Sequence, residues 1–305
     1  MEEVFYEFLE YLLETMTLLV AILILLAALK KKSPTQINIT HLNKKWFNIN
    51  RLFLKSTLQK KKNKQKKPSD KRCYYLKFKG DLSASNVSKL RNEISAIINI
   101  AKAKDKVCIN LESPGGTIID YGLANSQLQR LKYAGIELDV VVDRVAASGG
   151  YLMACVADRI IAAPYAFIGS IGVAFELFNA HELLKKNHIQ TEVITSKKYK
   201  RTLTPYSKTT AEAKAKVRED IAVYQKQFES SILKYRPKLN IQKVATGECW
   251  CAENAIHLGL VDELGTSDDY LFDTMKNFEV FEVEYFVKQN FKQKLFGKVR
   301  SYVGI

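Results

Sequence analysis

Twice in this chain a short β-rich run passes through a glycine-bearing turn into a helical run. The first turn is Glu112-Ser113-Pro114-Gly115-Gly116 and the second is Ala146-Ala147-Ser148-Gly149-Gly150. A strand that feeds directly into a helix, repeated along a chain, forces its strands to lie parallel with the helices packed on the faces of the sheet. The surrounding pattern agrees. Residues 74–79, 107–111, 138–143, 159–163 and 191–195 read as strands, and 83–100, 118–133, 149–157, 180–186 and 210–235 as helices. The predicted fold class is therefore α/β, with a largely parallel sheet and flanking helices. In the long helix, Val217, Ile221, Tyr224, Phe228, Ile232 and Tyr235 recur at steps of three and four. That stripe predicts a packing face, buried in the core or against another subunit. No period of 20–50 residues repeats, which excludes a solenoid.

Ahead of this pattern, residues 11–29 (YLLETMTLLVAILILLAAL) are apolar apart from Glu14 and two threonines, long enough as a helix to cross a ~30 Å hydrocarbon layer. The acidic start and the closing Lys30-Lys31-Lys32 argue for a retained membrane anchor over a cleaved signal peptide. The expected organisation is an anchor over 1–32, a basic juxtamembrane tether over 33–72 and a catalytic domain over 73–305. The net charge of +15 is concentrated: +14 lies from Lys30 to Arg72, −5 in the first 29 residues and +6 in the remainder. A tether with KKKNKQKK at 60–67 suits anionic lipid headgroups. Trp46, Phe47, Leu52, Phe53 and Leu54 predict a short surface helix within it. No nucleic-acid partner is expected, because no aromatic platform or reader motif accompanies the basic run. The positive-inside tendency sets the lysines on the cytoplasmic side.

The two glycine turns are where chemistry fits. Backbone N–H groups at such junctions are free to hold a developing oxyanion, and Gly115, Gly116 and Gly149 are the candidates. Ser148 opens a helix between Ala and Gly, placed as an exposed nucleophile, and a serine hydroxyl needs a base. Of the four histidines, His41 falls in the tether and His188 and His257 read as surface residues, which leaves His181 as the histidine alternative. A lysine serves instead where burial lowers its pKa, and Lys197, Lys198 and Lys200 all follow the strand read at 191–195. Spacing alone does not choose among them. Cys73, Cys108, Cys155, Cys249 and Cys251 form no disulfide framework or zinc spacing and read as small core hydrophobes, so neither metal nor cofactor is expected. Ser231-Ile232-Leu233-Lys234 matches S-x-x-K, but inside the amphipathic helix and without its companion elements it is a chance match.

Taken in order, LESPGG (111–116), VAASGGY (145–151), IGSIGV (168–173), YKRTLT (199–204), VATG (244–247) and GLVD (259–262) resemble the signal peptide peptidase A family of serine peptidases, especially its SohB branch. The resemblance spans about residues 74–270, and the anchor with its basic tether is similar to that branch too. It implies a crotonase- or Clp-protease-like domain and a ring-shaped homo-oligomer. It also implies a Ser-Lys dyad in which Ser148 is nucleophile, Lys200 is base and Ser170 helps to hold the lysine amine. The oxyanion donor then falls in the SPGG turn, at Gly115 or Gly116. The expected activity is endopeptidase cleavage of membrane-derived or signal-peptide-like peptides at a bacterial inner membrane, with one transmembrane helix. The family is associated with the outer side of that membrane, against the side that the lysines favour, so sidedness stays open. Two other functions compete: an acyl-CoA enzyme of crotonase type, and a catalytically silent membrane scaffold.

Overall fold

A computed structural model describes residues 2–29, 37–57 and 69–286. The elements, in chain order, begin with α1 (Glu2–Leu29), β1 (Ile37–His41), α2 (Leu42–Ser56), β2 (Arg72–Lys79), α3 (Val87–Ile100), β3 (Lys106–Glu112) and α4 (Ile118–Tyr133). Then follow β4 (Glu137–Val142), β5 (Val145–Ala147), α5 (Gly149–Ala154), β6 (Arg159–Ala162), β7 (Phe167–Gly169), α6 (His181–Lys186) and α7 (Ala211–Tyr235). The chain ends with α8 (Ile241–Val244), β8 (Cys249–Cys251), α9 (Ala252–Ala255), β9 (Glu263–Leu264), α10 (Ser267–Thr274) and β10 (Glu279–Tyr285). Two units separate, one of residues 1–38 with 287–305 and one of residues 39–286. The first contributes α1. Among the described residues no helix is long and apolar enough to cross a membrane, so the anchor remains a reading of the sequence.

The second unit is an α/β domain. Seven strands run in the order β1-β10-β2-β3-β4-β6-β9, and β10-β2-β3-β4-β6-β9 pair in parallel throughout. Strands covered on both faces have no solvent side to mark with polar residues, which is why β3 and β4 are buried along most of their length. A second sheet, β5-β7-β8, joins the first where Ser113, just past β3, bridges Ala146 of β5. That junction brings the two glycine turns together.

Four of the five expected strands form, and the long helix forms as α7. Residues 191–195 do not form a strand. Their side chains are exposed and no neighbouring strand pairs with them, so β-branched content alone gives no ladder. The helix expected from 83 starts at Val87, and that expected over 149–157 ends at Ala154. Within the stretch read as a tether, residues 37–56 form β1 and α2. Leu42 is buried there, Asn43 Nδ2 donates to Phe278 O (3.0 Å) and the Val280 N–H donates to Asn43 Oδ1 (2.7 Å). The lysine runs at 30–32 and 60–67 and the end of the expected catalytic domain, 287–305, lie outside the described residues.

Candidate active site

The two turns are laced through their backbones. Ser113 N–H donates to Val145 O (2.8 Å) and Ala147 N–H donates to Ser113 O (3.0 Å), continuing the parallel ladder past the end of β3. Beneath them lies a directed chain of hydrogen bonds. Tyr121 donates its one hydroxyl proton to Asp81 O (2.8 Å), so across the 2.6 Å contact Ser113 Oγ donates to the tyrosine oxygen. Ser113 Oγ in turn accepts the Gly115 N–H (3.1 Å). Gly115 stands at φ +92°, and a Cβ there would lie 2.7 Å from Ser148 Cβ. Only glycine lets the turns meet this closely. Gly149 is equally constrained, since a Cβ would overlap the Tyr121 ring.

Ser148 holds φ +51° and ψ −119° at the junction between β5 and α5, a conformation that a non-glycine residue adopts only when its surroundings impose it. Its N–H donates to Gly169 O (2.8 Å), fixing the turn to β7. The next residue past β7, Ser170, has φ +50° and donates its N–H to Glu248 O (2.6 Å). Ser148 and Ser170 are both half-buried and both line one cavity of about 640 Å³, together with Gly116 and Gly149. Gly115 is buried behind that wall. A strained serine on a sharp strand-to-helix turn, facing a cleft, is the arrangement that presents a nucleophilic hydroxyl.

Among the described residues no acidic, basic or histidine side chain lines this cavity. Lys200 lies elsewhere, exposed in the stretch between α6 and α7, so the structure does not bring it together with Ser148 and Ser170. The turn at 197–200 closes by a Lys200 N–H bond to Lys197 O (3.1 Å) and is held near the start of α7 by the Lys198–Glu212 ion pair. His181 lies against Tyr206 O (3.1 Å) and is likewise outside the cavity. His41 stacks on Phe281 and meets Glu279.

What the sequence reading missed is the far wall. Tyr224, Gln227, Phe228 and Ser231 of α7 line the cavity, and of the whole α7 stripe only Ile232 is buried. The stripe expected to pack in the core or on a subunit is thus partly a cleft wall. Ser231, dismissed with its S-x-x-K match, donates its hydroxyl to Gln227 O (2.8 Å), while Lys234 donates to the Tyr133 hydroxyl. Only the spacing of 224, 227, 228 and 231 could have signalled that face. Among the cysteines, Cys73, Cys108 and Cys155 are buried, and burial pushes the Cys73 and Cys155 thiols up to about 12. Cys249 is exposed and Cys251 half-buried on β8, so the core reading holds for three of the five.

Residues 130–280 match the model of Peptidase family S49, and residues 3–128 match Peptidase family S49 N-terminal. The chain is 48% identical over 239 residues to "Probable protease SohB" of Haemophilus influenzae, covering 78% of this chain and 67% of that protein. It is 47% identical over 238 residues to "Probable protease SohB" of Buchnera aphidicola subsp. Schlechtendalia chinensis, covering 76% and 78%. A solved membrane-bound stomatin-specific protease in complex with a substrate peptide matches with TM-score 0.46 and 15% identity, over 76% of this chain and 98% of that one. By the family models and the extent of these identities, the chain belongs to peptidase family S49, as a SohB-like protease.

Proposed function

We propose that this chain is a membrane-anchored serine endopeptidase in which Ser148 attacks the scissile carbonyl and Lys200 is the general base. The observation that carries the reading is Ser148 itself, strained at φ +51° on the wall of a cleft that it shares with Ser170. The N–H groups of Gly149 and Gly116 receive the developing oxyanion. Gly115, whose N–H is committed to Ser113 Oγ, serves by letting the two turns touch. Neutral Lys200 takes the Ser148 proton as the acyl-enzyme forms and then activates the water that releases it, with Ser170 orienting the amine.

Lys200 has to leave water to act, because a solvated ammonium is no base at neutral pH. The stretch that carries it exposes Ile189 (52%) and Ile194 (92%), an apolar arm that assembly into a ring would cover. Ring formation thereby covers the arm and dries the amine. The apolar run at 11–29 and the adjoining lysines support a single-pass anchor in a bacterial inner membrane, and membrane-derived or signal-peptide-like peptides are the substrates that such an anchor would meet.

The rival reading of a silent scaffold draws on one observation, that Lys200 stands outside the cavity. Fluorophosphonate labelling of the full chain separates the two. Labelling lost in both Ser148→Ala and Lys200→Ala supports the dyad; labelling absent from the unaltered protein, or persisting in Ser148→Ala, overturns it.

A further inference from the structure

The cleft beside Ser148 lies between two helix faces of identical spacing. On α4 they are Gly122, Asn125, Ser126 and Gln129; on α7, Tyr224, Gln227, Phe228 and Ser231. Each set follows i, i+3, i+4, i+7, the rows that share one side of a helix. In a chain that is 26% charged, no charged residue among the described residues lines the cleft. Its polar groups answer one another: the Asn125 amide donates to Leu152 O, and Asn125 Oδ1 accepts from Gln129 Nε2. A charged substrate side chain entering here would lose water and meet no counter-charge.

Gly122 is the anomaly on the α4 face. It is the fifth residue of α4, where alanine would support the helix better. Packing does not explain the glycine, because a Cβ at this position would meet nothing within 4 Å. Gly116 and Gly149, in the same cavity, are the opposite case, since a Cβ at either would collide with neighbouring atoms. What the missing side chain at Gly122 does is leave the space between α4 and α7 open.

We propose that Gly122 sets the size, and the uncharged lining sets the charge, of the substrate side chain accepted beside Ser148: a bulky, neutral residue of a peptide. The peptide nature of the ligand rests on the endopeptidase reading above; the pocket's selectivity rests on its walls.

The test measures binding on the full chain in detergent, carrying Ser148→Ala so that turnover does not intrude. The probes are acylated hexapeptides differing at one residue, Ala, Leu, Phe, Asp or Lys. The Leu and Phe peptides are expected to bind at least about tenfold more tightly than the Asp and Lys peptides. Adding Gly122→Leu should weaken the Leu and Phe peptides by about tenfold or more while leaving the Ala peptide nearly unchanged. Gly122→Ala, a single methyl group, should weaken Phe before Leu, and it keeps the test decisive should Gly122→Leu fail to fold. Charged peptides that bind as well as Leu, an absence of Leu and Phe binding, or a Gly122 series that affects all peptides alike would overturn the proposal. Hydrolysis of the same peptides by the protein with Ser148 intact is followed in parallel. Selective binding without hydrolysis would remove the peptidase reading and leave the pocket; hydrolysis indifferent to Gly122 would do the reverse.

Discussion

The two residues of the expected dyad sit in opposite physical settings. Ser148 is gripped by its own chain: its N–H is bound to Gly169 O, its turn is laced to Ser113, and Gly115 lies close enough to exclude any side chain. Lys200 rides on an exposed arm without regular structure, tied to α7 through the surface pair Lys198–Glu212. Backbone strain persists only where packing over-determines it, so the proposed nucleophile is built into the fold of a single chain. The proposed base is not, and on that proposal activity depends on an ordering step that the packed body does not supply.

The sharpest break of that contrast is Ser148→Ala, expected to lower peptide hydrolysis by about 10⁴-fold or more, with the melting temperature unchanged. Lys200→Ala should lower it by about 10²- to 10⁴-fold, also without effect on melting, as befits a surface side chain whose proposed role is proton transfer. Assays across a dilution series sharpen the point, since a base ordered by assembly gives a specific activity that falls as the protein is diluted. Constant specific activity down to the monomer would place Lys200 by its own chain. Gly149→Ala tests the packed side. A methyl group pushed into the Tyr121 ring should cost about 1–3 kcal/mol, visible as a lower midpoint in urea, and should reduce activity as well.

The same contrast explains what was legible in the sequence. Parallel strands covered on both faces write themselves as apolar runs, so 74–79, 107–111, 138–143 and 159–163 were readable, as was the glycine turn that holds Ser148. Residues 191–195 carry the same β-branched vocabulary without a neighbour to pair with, and their strand does not form. Strand β10 pairs with β2 from about 200 residues away, and no local pattern announces a partner at that distance. Tyr224 and Phe228 fit a core stripe as well as a cleft wall, because periodicity reports a face and not what lies opposite it. The choice of Lys200 over its neighbours came from resemblance alone.

A smaller effect belongs to the packed body and not to the arm. Glu93 of α3 is buried, accepts the Tyr285 N–H at 2.8 Å and leaves Oε2 without a hydrogen-bond partner among the described residues. Burial pushes its carboxyl up to about 7, opposed by the Tyr285 N–H and Lys89 and reinforced by Glu284. A raised folded pKa means that the folded state holds this proton more tightly than the unfolded chain does. The contribution is therefore fully present below about pH 4.5 and is lost as pH rises through about 7, amounting to about 3 kcal/mol at most. Glu93→Gln should flatten this part of the stability profile between about pH 4.5 and 7, the window set by those two values, in urea titrations. An unchanged slope would mean that Glu93 does not carry it.

The smallest expected effect comes from two glycines on one cavity wall that should respond with opposite sign. Where Gly149→Ala destabilises, Gly122→Ala should stabilise by about 0.5–1 kcal/mol, because the added methyl group meets nothing within 4 Å and the helix interior gains a better helix former. Urea midpoints of the full chain in detergent measure both. A chain that could be more stable with alanine and yet carries glycine is holding space between α4 and α7, and the gain should come with weaker binding of the bulkiest peptides. If Gly122→Ala destabilises instead, that space is filled by something the helix needs, and α4 belongs wholly to the packed body.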